Sequence, residues 1–141
     1  MLKYKLLKYN NSNSSYNGFY YARAAHDTTV NLEELAEHMA SHNSPFSKGT
    51  IHGVLKDMVA CVNELLLESK KVKLDDLAIF SLGIKSNLVE SSTNFNPREN
   101  ILSAHINALG TGVFSKKQLD IKTRFKEVDK YSVEEEENEK P

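Results

Sequence analysis

The sequence has 141 residues, of which 40% are hydrophobic, and its 18 Lys and Arg against 19 Asp and Glu give a formal net charge of −1. That length suits about one domain, and the near-neutral charge excludes a nucleic-acid binder that is strongly basic throughout. No stretch approaches the roughly eighteen consecutive apolar residues of a membrane span, and the charged start MLKYKLLKY does not fit a signal peptide, so we expect a soluble cytoplasmic protein.

The charges are unevenly distributed along the chain. Residues 1–23 contain four bases and no acid, whereas five of the six charged residues in the segment 131–141 are acidic. An acidic segment with so few apolar residues predicts a disordered tail. Without this tail the chain is mildly basic, which permits a polyanionic partner without requiring one.

The first 25 residues predict a β-hairpin that extends the N-terminus. Leu2, Tyr4 and Leu6 alternate with Lys3 and Lys5, which is the period of a half-buried strand. The polar segment NNSNSSYNG predicts a long turn, and FYYARAA predicts the returning strand.

The turn and the returning strand are rich in aromatic residues, and two interpretations of them stay open. Such a cluster can stack on nucleic-acid bases, or it can form cross-strand pairs in a core. Aromatic residues in strands more often do the latter. The residues concerned are Tyr16, Phe19, Tyr20 and Tyr21.

Residues 31–69 predict a helical hairpin. Asn31 and Glu34 have the spacing of a capping box at the start of the first helix, and Ser47 is the N-cap of the second. The apolar stripe of the second helix is too broad for the first helix to cover, so it requires a sheet or a second copy of the chain. That stripe comprises Ile51, Val54, Leu55, Met58, Val62, Leu65 and Leu66.

Two groups in this hairpin have the residue types of reactive or metal sites. Cys61, the only cysteine, excludes an intrachain disulfide, and its apolar neighbours in VACVNELLL predict a small buried hydrophobe. His38 and His42 are one helical turn apart, with Glu34 a turn earlier, which is a spacing that metal sites use. We expect no metal, because HMASH lacks the central glutamate of HExxH and amphipathic helices commonly carry such residues.

The remaining chain predicts a sheet with a long excursion. Period-two alternation over residues 71–84, KVKLDDLAIFSLGI, predicts strands, with Asp75 and Asp76 at a turn or bulge. Residues 85–104 have weak periodicity and predict a loop or an extended arm. HINAL predicts a short strand, and residues 114–128 predict a final strand or helix.

This order of elements resembles the HU and integration-host-factor family of histone-like DNA-binding proteins. The resemblance rests on NLEELAEHMASHNSPFSKGTIHGVLKDMVACVNELLLESKKVKLDDLAIFSL, which ends in the pattern VxLxxLxxF. The chain is most similar to an HU-related branch whose N-terminal segment ends in a strand such as Tyr20-Tyr21-Ala22, and the similarity covers residues 1 to 128. Where the family has an aromatic residue and a glycine after the second helix, this chain has Leu77 and Ala78.

The resemblance implies an α+β fold in which a helical hairpin joins an antiparallel sheet with a projecting β-arm, and two chains intertwine as a homodimer. It places the HU-like domain at residues 1–130, with the sheet, arm and C-terminal element over residues 71–128. It also implies largely sequence-independent binding and bending of duplex DNA in a bacterial nucleoid, with the arms in the minor groove.

The resemblance and the charges together select two sets of residues. The predicted DNA contacts are Lys48, Lys71, Lys73, Lys85, Pro97, Arg98, Lys116 and Lys117. The predicted dimer interface comprises Leu35, Met39, Val54, Leu55, Met58, Val62, Leu66 and Phe80.

The arm departs from the family because it is weakly basic. A minor-groove arm needs clustered Lys or Arg to neutralise phosphates, yet Lys85 and Arg98 are opposed by Glu90 and Glu99. The alternative function is therefore a diverged HU-like dimer that acts as a scaffold through protein contacts, without binding DNA.

The tip of the arm also has two interpretations. Asn96-Pro97 fits the family's proline, which inserts between base pairs, but Pro97 can equally open a short helical turn.

Motifs of common enzyme classes are missing from the sequence. It contains no GxSxG, P-loop or GxGxxG segment. We expect no enzymatic activity, no cofactor and no small-molecule substrate; the expected partners are double-stranded DNA and a second copy of the chain.

Overall fold

The computed structural model describes residues 1–128, and the predicted α+β class is confirmed. The predicted acidic tail, residues 131–141, lies outside the described residues. Within residues 1–128 no helix has both the length and the apolar character needed to cross a bilayer. The elements are β1 (Leu2–Lys8), β2 (Tyr20–Ala24), α1 (Leu32–Ser41), α2 (Lys48–Leu67), β3 (Val72–Leu74), β4 (Ala78–Ser86), α3 (Pro97–Asn100), β5 (Ile101–Gly110), α4 (Lys116–Lys122) and β6 (Phe125–Glu127).

The chain divides into two compact units. The first contains Met1–Thr29 and residues 121–128, and the second is Val30–Asp120. The first unit is a sheet in the order β2-β1-β6, in which β1 and β2 form the predicted antiparallel hairpin. β6 pairs with β1 in parallel, with Leu2 opposite Phe125, and this pairing was not predicted.

The second unit begins with the predicted helical hairpin. Asn31 Oδ1 accepts a hydrogen bond from the Glu34 N–H at 2.9 Å, and Glu34 Oε2 accepts one from the Asn31 N–H at 2.8 Å. Ser47 Oγ accepts one from the Thr50 N–H at 3.2 Å. Because these bonds satisfy donors that a helix leaves unpaired in its first turn, they fix where α1 and α2 begin.

The end of α2 is set by a left-handed residue. Ser69 has φ 63°, the Lys70 N–H donates to Leu65 O at 3.1 Å, and the Ser69 N–H donates to Leu66 O at 3.1 Å. This pair of bonds is a Schellman motif, which stops the helix and turns the chain into β3.

A three-stranded antiparallel sheet, in the order β3-β4-β5, completes the second unit. The predicted turn at Asp75-Asp76 is confirmed, since Asp76 has φ 63° and the Leu77 N–H donates to Leu74 O at 3.0 Å. The predicted short strand HINAL is part of a longer one, because β5 pairs with β4 from Gly110 back to Ile101. Residues 87–100 form the tip between these two strands.

Residues 114–128 contain both of the predicted alternatives, a helix and a strand, in succession. α4 and β6 are separated by Thr123 and Arg124. Neither the helical nor the strand periodicity holds over the whole segment, because each applies to only part of it.

The core that the single chain buries is small. Among the described residues no large side chain is fully buried, and the buried apolar residues are Ala36, Ile51, Leu66 and Ala78. The prediction that Cys61 is buried was wrong, since it is exposed. Cys61 shares one flank of α2 with Val54 and Leu65, which are 62% and 37% exposed, because spacings of seven and four residues return to the same side of a helix. The chain's own sheet and α1 leave this flank open.

Candidate functional site

The pairing of β3, β4 and β5 sorts their side chains onto two faces. Directly paired residues point to the same side of a sheet, and side chains alternate along each strand. One side, the apolar face, comprises Val72, Leu74, Ala78, Phe80, Leu82, Ile84, Ala104, Ile106 and Ala108. The other, the polar face, comprises Lys73, Ser81, Gly83, Lys85, Ser103, His105 and Asn107, with Ile79 and Leu109 at its base.

Gly83 gives the polar face its local shape. A Cβ at this position would lie 2.7 Å from His105 Nε2 and 2.7 Å from Asn107 Nδ2. The glycine therefore leaves room for an imidazole and a carboxamide to lie across β4. Ser103, His105 and Asn107 are exposed, so the face offers hydrogen-bonding groups and no carboxylate.

Two predicted DNA contacts belong to this face, and several of its members were missed. Lys73 and Lys85 are exposed and lie on the same side of the sheet as His105. The sequence analysis did not select Ser103, His105 or Asn107. The signal that identifies them is their register with Gly83 and Lys85, which depends on strand pairing.

The tip of the β4–β5 hairpin holds Pro97 and Arg98. Asn96 Oδ1 accepts a hydrogen bond from the Arg98 N–H at 3.1 Å, and Asn100 Oδ1 accepts one from the Asn96 N–H at 2.8 Å. Pro97 therefore opens a short helical turn, as one of its two interpretations predicted. Both Pro97 and Arg98 are exposed.

Lys48 is held by carboxylates. Its Nζ lies 3.4 Å from Glu33 Oε1 and 3.5 Å from Glu37 Oε2, so it links α2 to α1. Desolvation works against the charged form, but attraction to Glu37 and Glu33 outweighs it and raises the pKa of Lys48 above its ordinary value. A phosphate at Lys48 would have to compete with these two acids.

The remaining predicted DNA contacts lie outside the polar face. Lys71 is exposed just before β3, and Lys117 is exposed in α4. Lys116 is ion-paired with Asp120 one turn further along α4. The structure therefore groups only Lys73 and Lys85 on one strand surface.

The predicted dimer residues differ in how far their own chain covers them. Leu66 is 4% exposed and belongs to the core of the single chain. Leu35 and Met39 on α1 are each 40% exposed, and Val54 is 62% exposed. The half-buried members are Leu55, Met58, Val62 and Phe80.

The histidine pair on α1 does not extend into a larger cluster. His38 Nε2 and His42 Nε2 are 3.1 Å apart. The carboxylate of Glu34 instead accepts the hydrogen bond from Asn31. Within residues 1–128 no group of three or more His, Cys, Asp and Glu is arranged to hold a metal ion.

The interpretation that the sequence favoured holds in part: Tyr20 and Tyr21 pair across the hairpin with Lys8 and Leu7, but the N-terminal aromatic residues do not form a core. Tyr16 is 63% exposed, Phe19 59% and Tyr20 65%. Three short strands have too little apolar surface to enclose them.

Comparison with known proteins relates residues 1–124 to one family. The model of the HU-HIG family, described as an HU domain fused to a wHTH, Ig or glycine-rich motif, matches residues 1–124. Comparison with curated proteins gives no match.

A solved structure gives an independent comparison of the fold. A protein from Bacteroides vulgatus ATCC 8482, described as a candidate bacterial DNA binding protein, is similar with a TM-score of 0.62 and 13% identity. The match covers 90% of this chain and 48% of that one, so this chain spans about half the length of that protein. At this identity the likeness shows a shared fold only. The predicted resemblance to HU proteins is confirmed by the match over residues 1–124, and the chain belongs to the HU-HIG family.

Proposed function

We propose that the chain is an HU domain that forms a homodimer, binds duplex DNA with little sequence preference and bends it. The observation that carries this proposal is the open apolar flank of α2, in a chain of the HU-HIG family. A bacterial nucleoid is the corresponding location.

The case for a second copy of the chain starts from exposed apolar surface. Val54 on α2, with Ile84 and Ile106 on the apolar face, are each more than 60% exposed. Soluble monomers rarely expose large contiguous apolar patches, because each buried Å² of such surface contributes roughly 25 cal/mol. A symmetric dimer would bury the same flank of both chains in one interface.

The case for DNA rests on the polar face and the arm. Lys73 and Lys85 provide positive charge with no carboxylate on the same face, and His105 and Asn107 add hydrogen-bonding groups. Such groups suit phosphate and sugar contacts, which position a protein on a duplex without reading its sequence. Arg98 at the exposed tip would extend these contacts along the duplex.

The alternative, a dimeric scaffold that acts through protein contacts, is favoured by the charges around this surface. Glu90 and Glu99 lie in the same segment between β4 and β5 as Arg98. Lys48 and Lys116 are already paired with carboxylates. Both features reduce the net attraction for a polyanion.

A salt titration with two unrelated duplexes separates these functions. If each chain of a dimer neutralises phosphates with Lys73, Lys85 and Arg98, about six contacts form, and affinity should fall about a thousandfold between 50 and 200 mM salt. Both duplexes should give the same slope. Failure to bind either duplex at low salt would contradict DNA binding and support the scaffold.

A further inference from the structure

The sheet of the first unit also has two different faces. In the antiparallel hairpin Lys5 is opposite Arg23 and Leu7 is opposite Tyr21, so these side chains share one side. The pattern continues to Tyr9, whose N–H donates to Phe19 O at 2.7 Å. On this side, which we name the basic aromatic face, lie Lys3, Lys5, Leu7, Tyr9, Phe19, Tyr21, Arg23 and Lys126.

The aromatic rings of this face are open to solvent at the closed end of the hairpin. Tyr9 is 38% exposed, Phe19 59% and Tyr21 45%. The Phe19 ring is supported by Tyr16, with ring centroids 5.5 Å apart in an edge-to-face arrangement. A cleft of about 410 Å³ lies among Tyr9, Tyr16, Phe19, Tyr20 and Tyr21.

Positive charge lies beside the rings. Arg23 follows Tyr21 by two residues, which places its Cα about 7 Å further along the same side of β2. Lys126 joins this side from β6 through its pairing with Lys3. The first carboxylate of the sequence is Asp27, and it pairs with Lys3 at 2.8 Å. Among the described residues, the strand positions beside the rings on this side therefore carry bases.

Exposed rings beside bases suit a particular class of ligand. Aromatic side chains bind nucleic acid by stacking on a base, and cationic side chains bind the adjoining phosphate. In a duplex the bases are already stacked on one another, so a ring can be used fully only by an unpaired base. An apolar protein segment would use the rings but would gain nothing from Arg23 and Lys126.

We propose that the basic aromatic face binds the unpaired bases of a single-stranded nucleic acid, with bases stacked on Phe19 and Tyr21 and a phosphate at Arg23. This binding site goes beyond the proposed function, because it differs from the polar face in position and in ligand. It requires neither the β-arm nor a second copy of the chain. The cleft among the rings provides space for the stacked bases.

The test uses the full chain with fluorescently labelled single strands of twenty thymidines or twenty uridines, and with a duplex of the same length. The double variant Phe19→Leu and Tyr21→Leu keeps apolar side chains but removes both rings. Its affinity for the single strand should fall at least tenfold, because two stacked bases together contribute more than that. Its duplex affinity should stay within about twofold of the parent.

Phe125→Leu is the matched control, since Phe125 is an exposed aromatic residue of the same sheet on the opposite side. It should leave both affinities unchanged, and circular dichroism should show the same fold for all variants. A plot of the logarithm of single-strand affinity against the logarithm of salt concentration should have a slope that is shallower by about 0.7 for Arg23→Gln. Tighter binding of thymidines or of uridines would assign the site to DNA or to RNA, and either result supports it.

Three results would overturn this inference. They are no single-strand binding by the parent chain, equal binding by the ring-deleted variant, or an equal loss for duplex and single strand. Duplex binding without single-strand binding would reject this site alone. Single-strand binding without duplex binding would instead reject the proposed function.

Discussion

At the level of single residues, Gly112 combines a left-handed backbone with very little room for a side chain. It has φ 55°, and a Cβ there would lie 2.3 Å from Asp76 Oδ1. The neighbouring Thr111 N–H donates to Leu77 O at 3.1 Å, which holds the chain after β5 against the β3–β4 turn. Glycine at this point lets the two segments meet.

Gly112→Ala should lower the free energy of unfolding by about 2–4 kcal/mol, from left-handed strain and the clash with Asp76. Urea unfolding at a fixed protein concentration measures the change. Gly53→Ala is the control, since Gly53 lies inside α2 with nothing within 4 Å of its Cβ position. It should raise the free energy of unfolding by about 0.5–1 kcal/mol. Equal effects at the two positions would contradict the close contact with Asp76.

Single lysines should also differ in their contribution to DNA binding. Lys85→Gln removes an exposed charge from the polar face, so in a dimer it should lower the logarithmic salt slope for duplex binding by about 2. Lys48→Gln should leave the slope nearly unchanged, because Glu33 and Glu37 already neutralise Lys48. Fluorescence anisotropy at several salt concentrations measures both. A larger effect at Lys48 would mean that DNA displaces its carboxylate partners.

At the level of elements, local signals predicted more than long-range ones did. The starts of α1 and α2 depend on Asn31 and Ser47 and on residues three positions later, so the sequence alone identified them. The parallel pairing of Leu2 with Phe125 joins residues more than a hundred positions apart, and no periodicity indicates it.

The candidate site was only partly predictable for the same reason. Lys73 and Lys85 could be chosen by charge, whereas His105 and Asn107 join them only through the register of β5 against β4. The burial of Cys61 was predicted wrongly because an apolar helical stripe does not say which chain covers it. Burial by a second chain and burial by the same chain leave the same pattern in a sequence.

Cys61 is therefore a reporter of what covers α2. It lies on the open flank with Val54 and Leu65. If a second chain covers this flank, labelling of Cys61 by a thiol reagent should slow as protein concentration rises, since the dimer fraction increases. The rate of absorbance change on labelling measures this. A rate constant that does not depend on protein concentration would show that the flank stays open.

At the level of the whole molecule, the described part of the chain buries few apolar side chains and exposes many. Among residues 1–128 four apolar residues are buried, while Val54, Ile84 and Ile106 are largely exposed. An interface between two copies would complete the core of the second unit. Disrupting this interface should separate the two chains without unfolding α2. Dimerisation is thus the claim on which the proposed mode of duplex binding depends.

Sedimentation equilibrium at micromolar concentration tests that claim most directly, with Val54→Glu as the disrupting variant. Asn63→Glu is the control, because it adds the same charge at an exposed polar position of the same helix. The parent and Asn63→Glu should sediment at twice the chain mass of 15.9 kDa, and Val54→Glu should sediment at 15.9 kDa. A parent chain that sediments at 15.9 kDa would contradict the account.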